Sequence, residues 1–519
     1  MKFKLPLITT LIAVFLLVSS CKKNDGKLSE DPKDRYALDM AKSDEFFSKH
    51  PDFKPFKSDI GKLYAKHENK MIWYDKDGRV DFAEVLYDKA AQIEKEGVIE
   101  KLPYTDEYED LFSERDTKKP SAEDELLISS LYFFYVNKVY AGLDAKQSQK
   151  MGWFLPREKV SYVSYLDSLI KDPDLLDDKM MSNFSQYDNL RKGLKKYRDI
   201  EKKGGWGTIT FPKGKKDLKP GDSDPAVAQV RKRLFVSGDL GKDSGSSTFD
   251  GELESAIEKF SKRQNSENKN ITSELVAQLN VPVAQRIKTI IVNMERCRWI
   301  SSDIEKAPEY VAVNIPSYRL RYVKDSKTAL ESNVVVGKEL NKTVVFSGKM
   351  SYLVFSPYWN IPKSIVKKEI EPGIASDKDY LEKHDMEYYN NGKNIRQRPG
   401  NDNSLGLVKF MFPNTNNIYL HDSPAKSLFN KEDRAFSHGC VRVQKAKELA
   451  NLILADDKNW NARKIDEAMH SGEEKQYGLN RKIPVYIAYF TAMADADGNV
   501  AFFDDIYNRD ERLARLLYN

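Results

Sequence analysis

"SHGCVRV", residues 437–443, places one of the chain's three cysteines two positions after a histidine, with only Gly439 between them, and opens onto a β-branched run. Cys440 can be a zinc ligand, half of a disulfide or a nucleophile. A structural zinc wants four Cys or His ligands, commonly in close pairs. Only Cys440, His438 and His421 are candidates here, because His384 and His470 have no useful spacing. A disulfide would need Cys297, which sits in the helix-like "NMERCRWI" (293–300), where a small thiol is ordinary core. A thiol nucleophile needs a base, an orienting partner for that base and donors for an oxyanion. His421 ends a predicted strand in "IYLHDS", 19 residues before Cys440, and His438 lies two before it. On an extended segment, alternation puts His438 and Cys440 on one side. Gly439 lets the backbone approach a substrate carbonyl closely, and the N–H groups of Gly439 and Cys440 can then face the developing oxyanion. Arg442 can hold a carboxylate through a forked pair of hydrogen bonds. The residues alone thus point to a cysteine acyl-transferase or peptidase and leave the acceptor open.

Around this turn lie 519 residues, too many for a single core. The 84 basic and 79 acidic side chains nearly balance, so charge gives no reason to expect a nucleic-acid partner. At the N-terminus, Lys2 and Lys4 precede an apolar run from Leu5 to Val18 broken only by Thr9 and Thr10, and Ser19-Ser20-Cys21 follows. A basic start, a short apolar body and small residues read as a secretory signal over 1–20, too short for a comfortable membrane span. The ending resembles a bacterial lipobox, which implies cleavage before Cys21 and a lipid on it. The polar stretch 21–33 is then a tether, and the protein is expected in the cell envelope, anchored to the membrane rather than spanning it, facing the periplasm at the outer membrane.

Residues 34–205 read as helical. "SAEDELLISSLYFFYVNKVYAGL" begins with Ser121 capping toward Asp124 and continues as a buried helix. In 206–282, Asp224-Pro225 opens one helix, with Val227, Val230, Arg231 and Leu234 at helical spacing. Phe249-Asp250 opens a second, with Leu253, Ala256, Ile257 and Phe260 inward, and a third ends at Asn280. From Val283 a helix leads into alternating, β-branched stretches, and Asp497-Gly498 marks a hairpin turn near the end. The polar stretch 364–406 is long enough to be a lid.

Two resemblances follow. The pattern of 206–282 is similar to the small three-helix peptidoglycan-binding module. "HDSPAKSLFNKEDRAFSHGCVRV" resembles the active-site motif of the L,D-transpeptidases, the YkuD-type catalytic domain: a histidine, a spacer, then Ser-His-Gly-Cys-x-Arg. Here the matching residues are His421, Ser437, His438, Gly439, Cys440 and Arg442. "FSPYWNIP" (355–362) and "FPNTNNIYLHDSPAKSLF" look like the long, YcbB-like branch; Asp422 stands where many members have glycine. The resemblance implies a multidomain α+β chain: a helical scaffold, a peptidoglycan-binding-like domain and a mostly-β catalytic domain over 283–519 with a lid-like insertion. It implies that Cys440 attacks a tetrapeptide stem, releases D-alanine as a thioester forms, and passes the acyl group to a neighbouring stem's amine in a 3→3 cross-link. His421 would be the general base, oriented by the backbone carbonyl of Asp422. His438 and Ser437 would shape the site, Gly439 would lend its backbone to the oxyanion, and Arg442, Tyr358, Trp359 and Asn360 would bind substrate. No metal or cofactor is implied. Carbapenems would acylate the thiol, and a D,D-carboxypeptidase would supply the tetrapeptides. With water as acceptor the same thiol gives an L,D-carboxypeptidase, and with a protein lysine it gives wall attachment. A non-catalytic, wall-binding lipoprotein scaffold is the alternative of another class.

Overall fold

The computed structural model describes residues 35–113, 120–157, 160–171 and 184–518. The expected signal segment, the tether and Cys21 lie outside the described residues.

Helix α1 (Ala122–Val136) starts where Ser121 and Asp124 cap each other reciprocally, each accepting the other's N–H at 3.0 Å. Every residue from Glu125 to Val136 is buried. Ala122–Lys150 is long and apolar enough to cross a membrane, but two thirds of its apolar window is buried against the rest of the protein, so it serves as a core helix of this region. Its one buried carboxylate, Glu125, accepts the Ile72 N–H at 2.6 Å and the Tyr64 hydroxyl at 2.7 Å. A second long helix, α2 (Gln186–Lys202), closes this helical region.

Three helices follow: α3 (Pro225–Val236), α4 (Gly251–Arg263) and α5 (Ser273–Leu279). The side chains of Asp224, Asp250 and Thr272 cap them in turn. Sixteen buried apolar residues between Ile209 and Leu279 form a core of their own. Arg231 is inward as its spacing requires, and its charge is met by Asp250 at 2.8 Å.

Helix α6 (Val283–Arg298) then carries the chain back against α2. Glu295 and Arg298, both buried, pair at 2.9 Å. Arg298 also donates to the carbonyls of Val139 (2.9 Å) and Glu96 (2.7 Å), and Glu295 accepts from Leu143 N–H and the Trp299 indole. Two buried charges need this many partners to be tolerated. The network ties α6 to the helical region, so one continuous hydrophobic core runs from that region into the β-rich one. Cys297 lies in this core as a free thiol.

The β-rich part closes on itself. Its strands are β1 (Tyr310–Asn314), β2 (Arg319–Lys324), β3 (Lys327–Gly337), β4 (Val345–Phe355), β5 (Val408–Met411), β6 (Leu420–His421), β7 (Ala435–Ser437), β8 (Val441–Val443) and β9 (Lys475–Ala488). The hydrogen-bonded order β5-β6-β8-β3-β2-β1-β9-β4 returns to β5, so eight strands form a ring, with β7 beside β3. Within that ring β6–β8 and β1–β9 are parallel pairs. Trp153–Phe154 of the helical region adds in parallel to the start of β4. The chain is thus a multidomain α+β protein with a helical N-terminal part and a β-rich C-terminal part.

The polar stretch after β4 folds as a separate lobe. Trp359–Asn360 pairs with Asn394–Gln397, which pairs in turn with Met386–Tyr389. Ile361, Ile365, Ile370, Met386 and Ile395 make its small core, which begins three residues before the expected start at 364.

Candidate active site

Register brings the site together. β6 and β8 are parallel, with Leu420 opposite Val441 and His421 opposite Arg442. Leu420, Val441 and Val443 are fully buried on the core side. By the period of two, Tyr419 and His421 share the other face with Cys440 and Arg442. The rings of Tyr419 and His421 are 5.6 Å apart. On the far side of β6, Lys409 of β5 stands opposite His421, so Lys409, His421 and Arg442 form a row across three strands.

His421 is buried, and its Nδ1 lies 2.6 Å from the Asp422 carbonyl. A carbonyl only accepts, so Nδ1 carries the proton and Nε2 is left as the basic nitrogen. Burial, then the Arg442 guanidinium, bring its pKa down to about 3. Cys440 is half-buried; its Sγ donates to the Asn417 carbonyl at 3.7 Å, and burial pushes the thiol above its ordinary value. Tyr419 faces it and favours the thiolate by hydrogen bonding, against that burial. Thiol and imidazole therefore both rest uncharged. Arg442 forms no ion pair among the described residues, and its Nε is buried without a partner. A guanidinium left this way beside the sulfur suits an incoming carboxylate.

The turn itself is braced from beneath. Ser437, buried, donates its hydroxyl to the Cys440 carbonyl at 2.6 Å and accepts the Gly439 N–H at 3.1 Å. The Gly439 carbonyl accepts from Thr343 Oγ1 at 2.9 Å, and Thr343 Oγ1 in turn accepts the Gly337 N–H at 2.9 Å. The Gly439 carbonyl and the Cys440 N–H belong to one planar trans peptide and point opposite ways. Anchoring the carbonyl inward thus turns the Cys440 N–H outward, where it has no backbone acceptor among the described residues. Gly337 must be glycine: a Cβ there would stand 2.0 Å from the Asn341 carbonyl oxygen.

Several expectations need correction. Gly439 has φ +118°, so the segment bends at 438–440 and strand alternation does not run through it. His438 and Cys440 consequently have different partners; the His438 ring meets Glu369 of the inserted lobe at 3.1 Å. The Gly439 N–H is spent inside the turn on Ser437, which leaves the Cys440 N–H as the turn's backbone donor without a backbone acceptor among the described residues. Ser437 braces the turn through its hydroxyl, which is how it shapes the site. Tyr358, Trp359 and Asn360 form the base of the lobe: Arg396 stacks over Tyr358 at 3.8 Å, and Trp359 packs against the lobe's core. Asp422 places its backbone carbonyl on His421 as expected, while its carboxylate accepts the Leu407 N–H at 3.1 Å. Tyr419, Lys409 and Thr343 escaped the sequence reading. Tyr419 had a signal, two positions before His421 on the same strand; the other two reach the site only through strand pairing and the turn's support.

Residues 308–481 match the family model described as the L,D-transpeptidase catalytic domain, YkuD, and residues 58–194 match that of the scaffold domain. A curated L,D-transpeptidase relative from Haemophilus influenzae is 33% identical over 222 residues, 39% of this chain. The match spans less than half, 45%, of that relative's length. Among solved structures, an L,D-transpeptidase from Stackebrandtia nassauensis is 15% identical, covering 54% of this chain and 95% of its own, at a TM-score of 0.21. The Enterococcus faecium L,D-transpeptidase is 15% identical over 35% of this chain and 50% of its own, at 0.18. Structural overlaps this slight carry no weight for the chemistry, whereas the family match falls on the strands that hold Cys440 and His421: over 308–481 the chain is similar to the YkuD-type L,D-transpeptidase catalytic domain, and over 58–194 to the scaffold domain.

Proposed function

We propose that the chain is an L,D-transpeptidase that forms 3→3 cross-links between peptidoglycan stems through a thioester on Cys440. The observation that carries this reading is the shared face: His421 opposite Arg442 in the β6–β8 pair, Cys440 two residues before Arg442 and against Tyr419, with an outward Cys440 N–H. The donor is a tetrapeptide stem whose terminal carboxylate pairs with Arg442. That pairing offsets the guanidinium charge which, after burial, most depresses His421, so substrate raises the basicity of its own general base. Nε2 of His421 takes the thiol proton as Sγ attacks the carbonyl of the third residue. The Cys440 N–H receives the oxyanion. Collapse breaks the bond to D-alanine, whose nitrogen takes the proton from His421, and the thioester remains. A side-chain amine of a second stem then attacks; its proton returns through His421 to the departing sulfur, and a new amide joins the stems. The lobe over His438 excludes water from the thioester and favours the amine.

The same reading places the chain in the cell envelope, held through lipid on Cys21 and facing the periplasm, with a D,D-carboxypeptidase supplying tetrapeptides and carbapenems acylating Cys440. The test is to incubate the full chain and its Cys440→Ala variant with disaccharide-tetrapeptides and weigh the products. Dimers lacking one D-alanine, made by the wild type alone, are expected. Tripeptide monomers alone would make the chain an L,D-carboxypeptidase, and no Cys440-dependent product would make it a binding scaffold.

A further inference from the structure

A groove of about 710 Å³ separates α4 and α5 of the three-helix domain from the outside of the β-ring. Its floor is built from Arg319 at the start of β2, Asn333 opposite it on β3 and Arg434 just before β7. Arg434 is 6% exposed, yet its Nε has no hydrogen-bond partner; the Nε of Arg319 and the Oδ1 of Asn333 are likewise buried and unpartnered. Among the described residues, Arg434 is steadied by the carbonyls of Lys431 (2.6 Å) and Phe429 (3.5 Å) and by the Tyr318 ring at 5.1 Å. Neither arginine forms an ion pair among the described residues. Burial and the neighbouring Arg319 hold the Arg434 guanidinium below its usual value, and the nearby carboxylates of Asp433 and Glu432, which act the other way without an ion pair to it, do not offset them.

The groove's carboxylates do not supply that anion. Glu258 is taken by Lys262 at 2.7 Å and Lys269 at 3.4 Å, and Glu267, Glu274 and Glu432 line the groove without pairing to the floor. The facing wall offers uncharged donors and acceptors, among them Ser266, Asn268 and Gln278. Such a wall suits sugar hydroxyls and acetamido groups. The floor suits a carboxylate, and the volume suits a ligand of disaccharide size.

We propose that this groove is a second binding site of the chain, which holds an uncross-linked glycan strand by a carboxylate on its stem peptide, at Arg319 and Arg434. The inference rests on the peptidoglycan substrate proposed above and names where the strand is held. Arg434 leads through β7 directly to the catalytic turn, six residues from Cys440, which at full extension is about 20 Å. A strand seated in the groove therefore presents neighbouring stems within reach of the thiol.

Binding is read on the full chain carrying Cys440→Ala, so that nothing turns over, by co-sedimentation with purified peptidoglycan sacculi. Arg319→Gln is expected to weaken retention about tenfold, roughly 1.4 kcal/mol, with an unchanged melting temperature. Arg319→Lys should retain part of the binding. Because the Arg319 side chain makes no ion pair among the described residues and its Nε has no hydrogen-bond partner, it keeps the test informative should Arg434→Gln fail to fold. Retention by Arg319→Gln equal to that of its parent overturns the site. Disaccharide-tetrapeptide with free carboxylates should compete, and the same fragment with its carboxylates amidated should not. Equal competition by the two overturns the carboxylate, and displacement by millimolar inorganic phosphate alone would assign the floor to a phosphate and likewise overturn it. Product formation is not part of this readout: a chain that binds through Arg319 but makes no cross-links contradicts the proposed reaction only, and one that cross-links but binds equally without Arg319 contradicts this site only.

Discussion

At Cys440 the two reacting groups rest neutral, and this has a measurable consequence. Burial raises the thiol while burial and Arg442 lower His421 to about 3, and both shifts favour the neutral pair over thiolate and imidazolium. Alkylation of Cys440 by iodoacetamide should accelerate steadily from pH 7 to 9. A plateau already reached below pH 7 would show an ion pair instead. Thr343 makes a second prediction. Thr343→Val removes the hydroxyl that fixes the Gly439 carbonyl, freeing the Cys440 peptide to rotate, and kcat should fall about 10- to 100-fold with KM nearly unchanged. A fall in melting temperature with kcat preserved would make Thr343 a purely structural residue. Cys440, His421 and Arg442 were legible because their residue types recur at a short motif spacing that needs no knowledge of the fold. Thr343 and Lys409 were not, since nothing local distinguishes them. Gly439 misled the reading because its left-handed φ belongs to a turn, while the flanking β-branched residues suggested an extended strand.

Among elements, the terminal hairpin shows how two glycines join distant parts of the chain. The turn at Asp497-Gly498 is where the dipeptide predicted it, and Gly498 has φ +77°. Its docking partner was not visible in the sequence. Gly193 of α2 lies so close that a Cβ there would stand 2.5 Å from Val500 Cγ2, and one on Gly498 would stand 2.7 Å from the Lys192 Cβ. Gln186 and Asn189 bind the Ala494 carbonyl at 3.0 and 3.2 Å. Gly193→Val should therefore push the hairpin off α2 and destabilise the fold by about 2 kcal/mol or more, seen as a lower denaturant midpoint. A variant as stable as wild type would mean that the hairpin docks loosely. The Ser121–Asp124 capping box and the helices of the three-helix domain were readable in advance because caps and apolar spacing are local. The closure of β4 onto β5 was not, since the inserted lobe separates those strands in sequence.

For the molecule as a whole, one core joins the helical region to the β-ring, so the protonation of either part acts on the stability of both. His421 binds its proton more weakly when folded, about 3 against an unfolded value near 6.5. Its effect is absent above pH 6.5, and stability is lost as pH falls below that, by about 1.4 kcal/mol per pH unit. Glu125 does the reverse: burial raises it from 4.5 to about 7. The folded state then holds the proton more tightly, and stability is gained as pH falls from 7 toward 4.5. Between pH 7 and 5, His421→Asn should make the stability rise more steeply on acidification, and Glu125→Gln should make it fall. Denaturant titrations at the two pH values check both signs, and the same slope in wild type and both variants would contradict them. These opposed groups were hidden in the sequence, because burial of a histidine and a glutamate is set by tertiary packing alone.

The most direct test of the central claim is the mass of the intact chain during turnover. On rapid quenching after mixing with disaccharide-tetrapeptide, the wild type should carry an adduct of the substrate less D-alanine. The adduct should map to Cys440, be released by hydroxylamine and be missing from Cys440→Ala. Cross-linked product formed with no adduct on Cys440, or an adduct that persists in Cys440→Ala, would contradict the thioester and with it the role assigned to this turn.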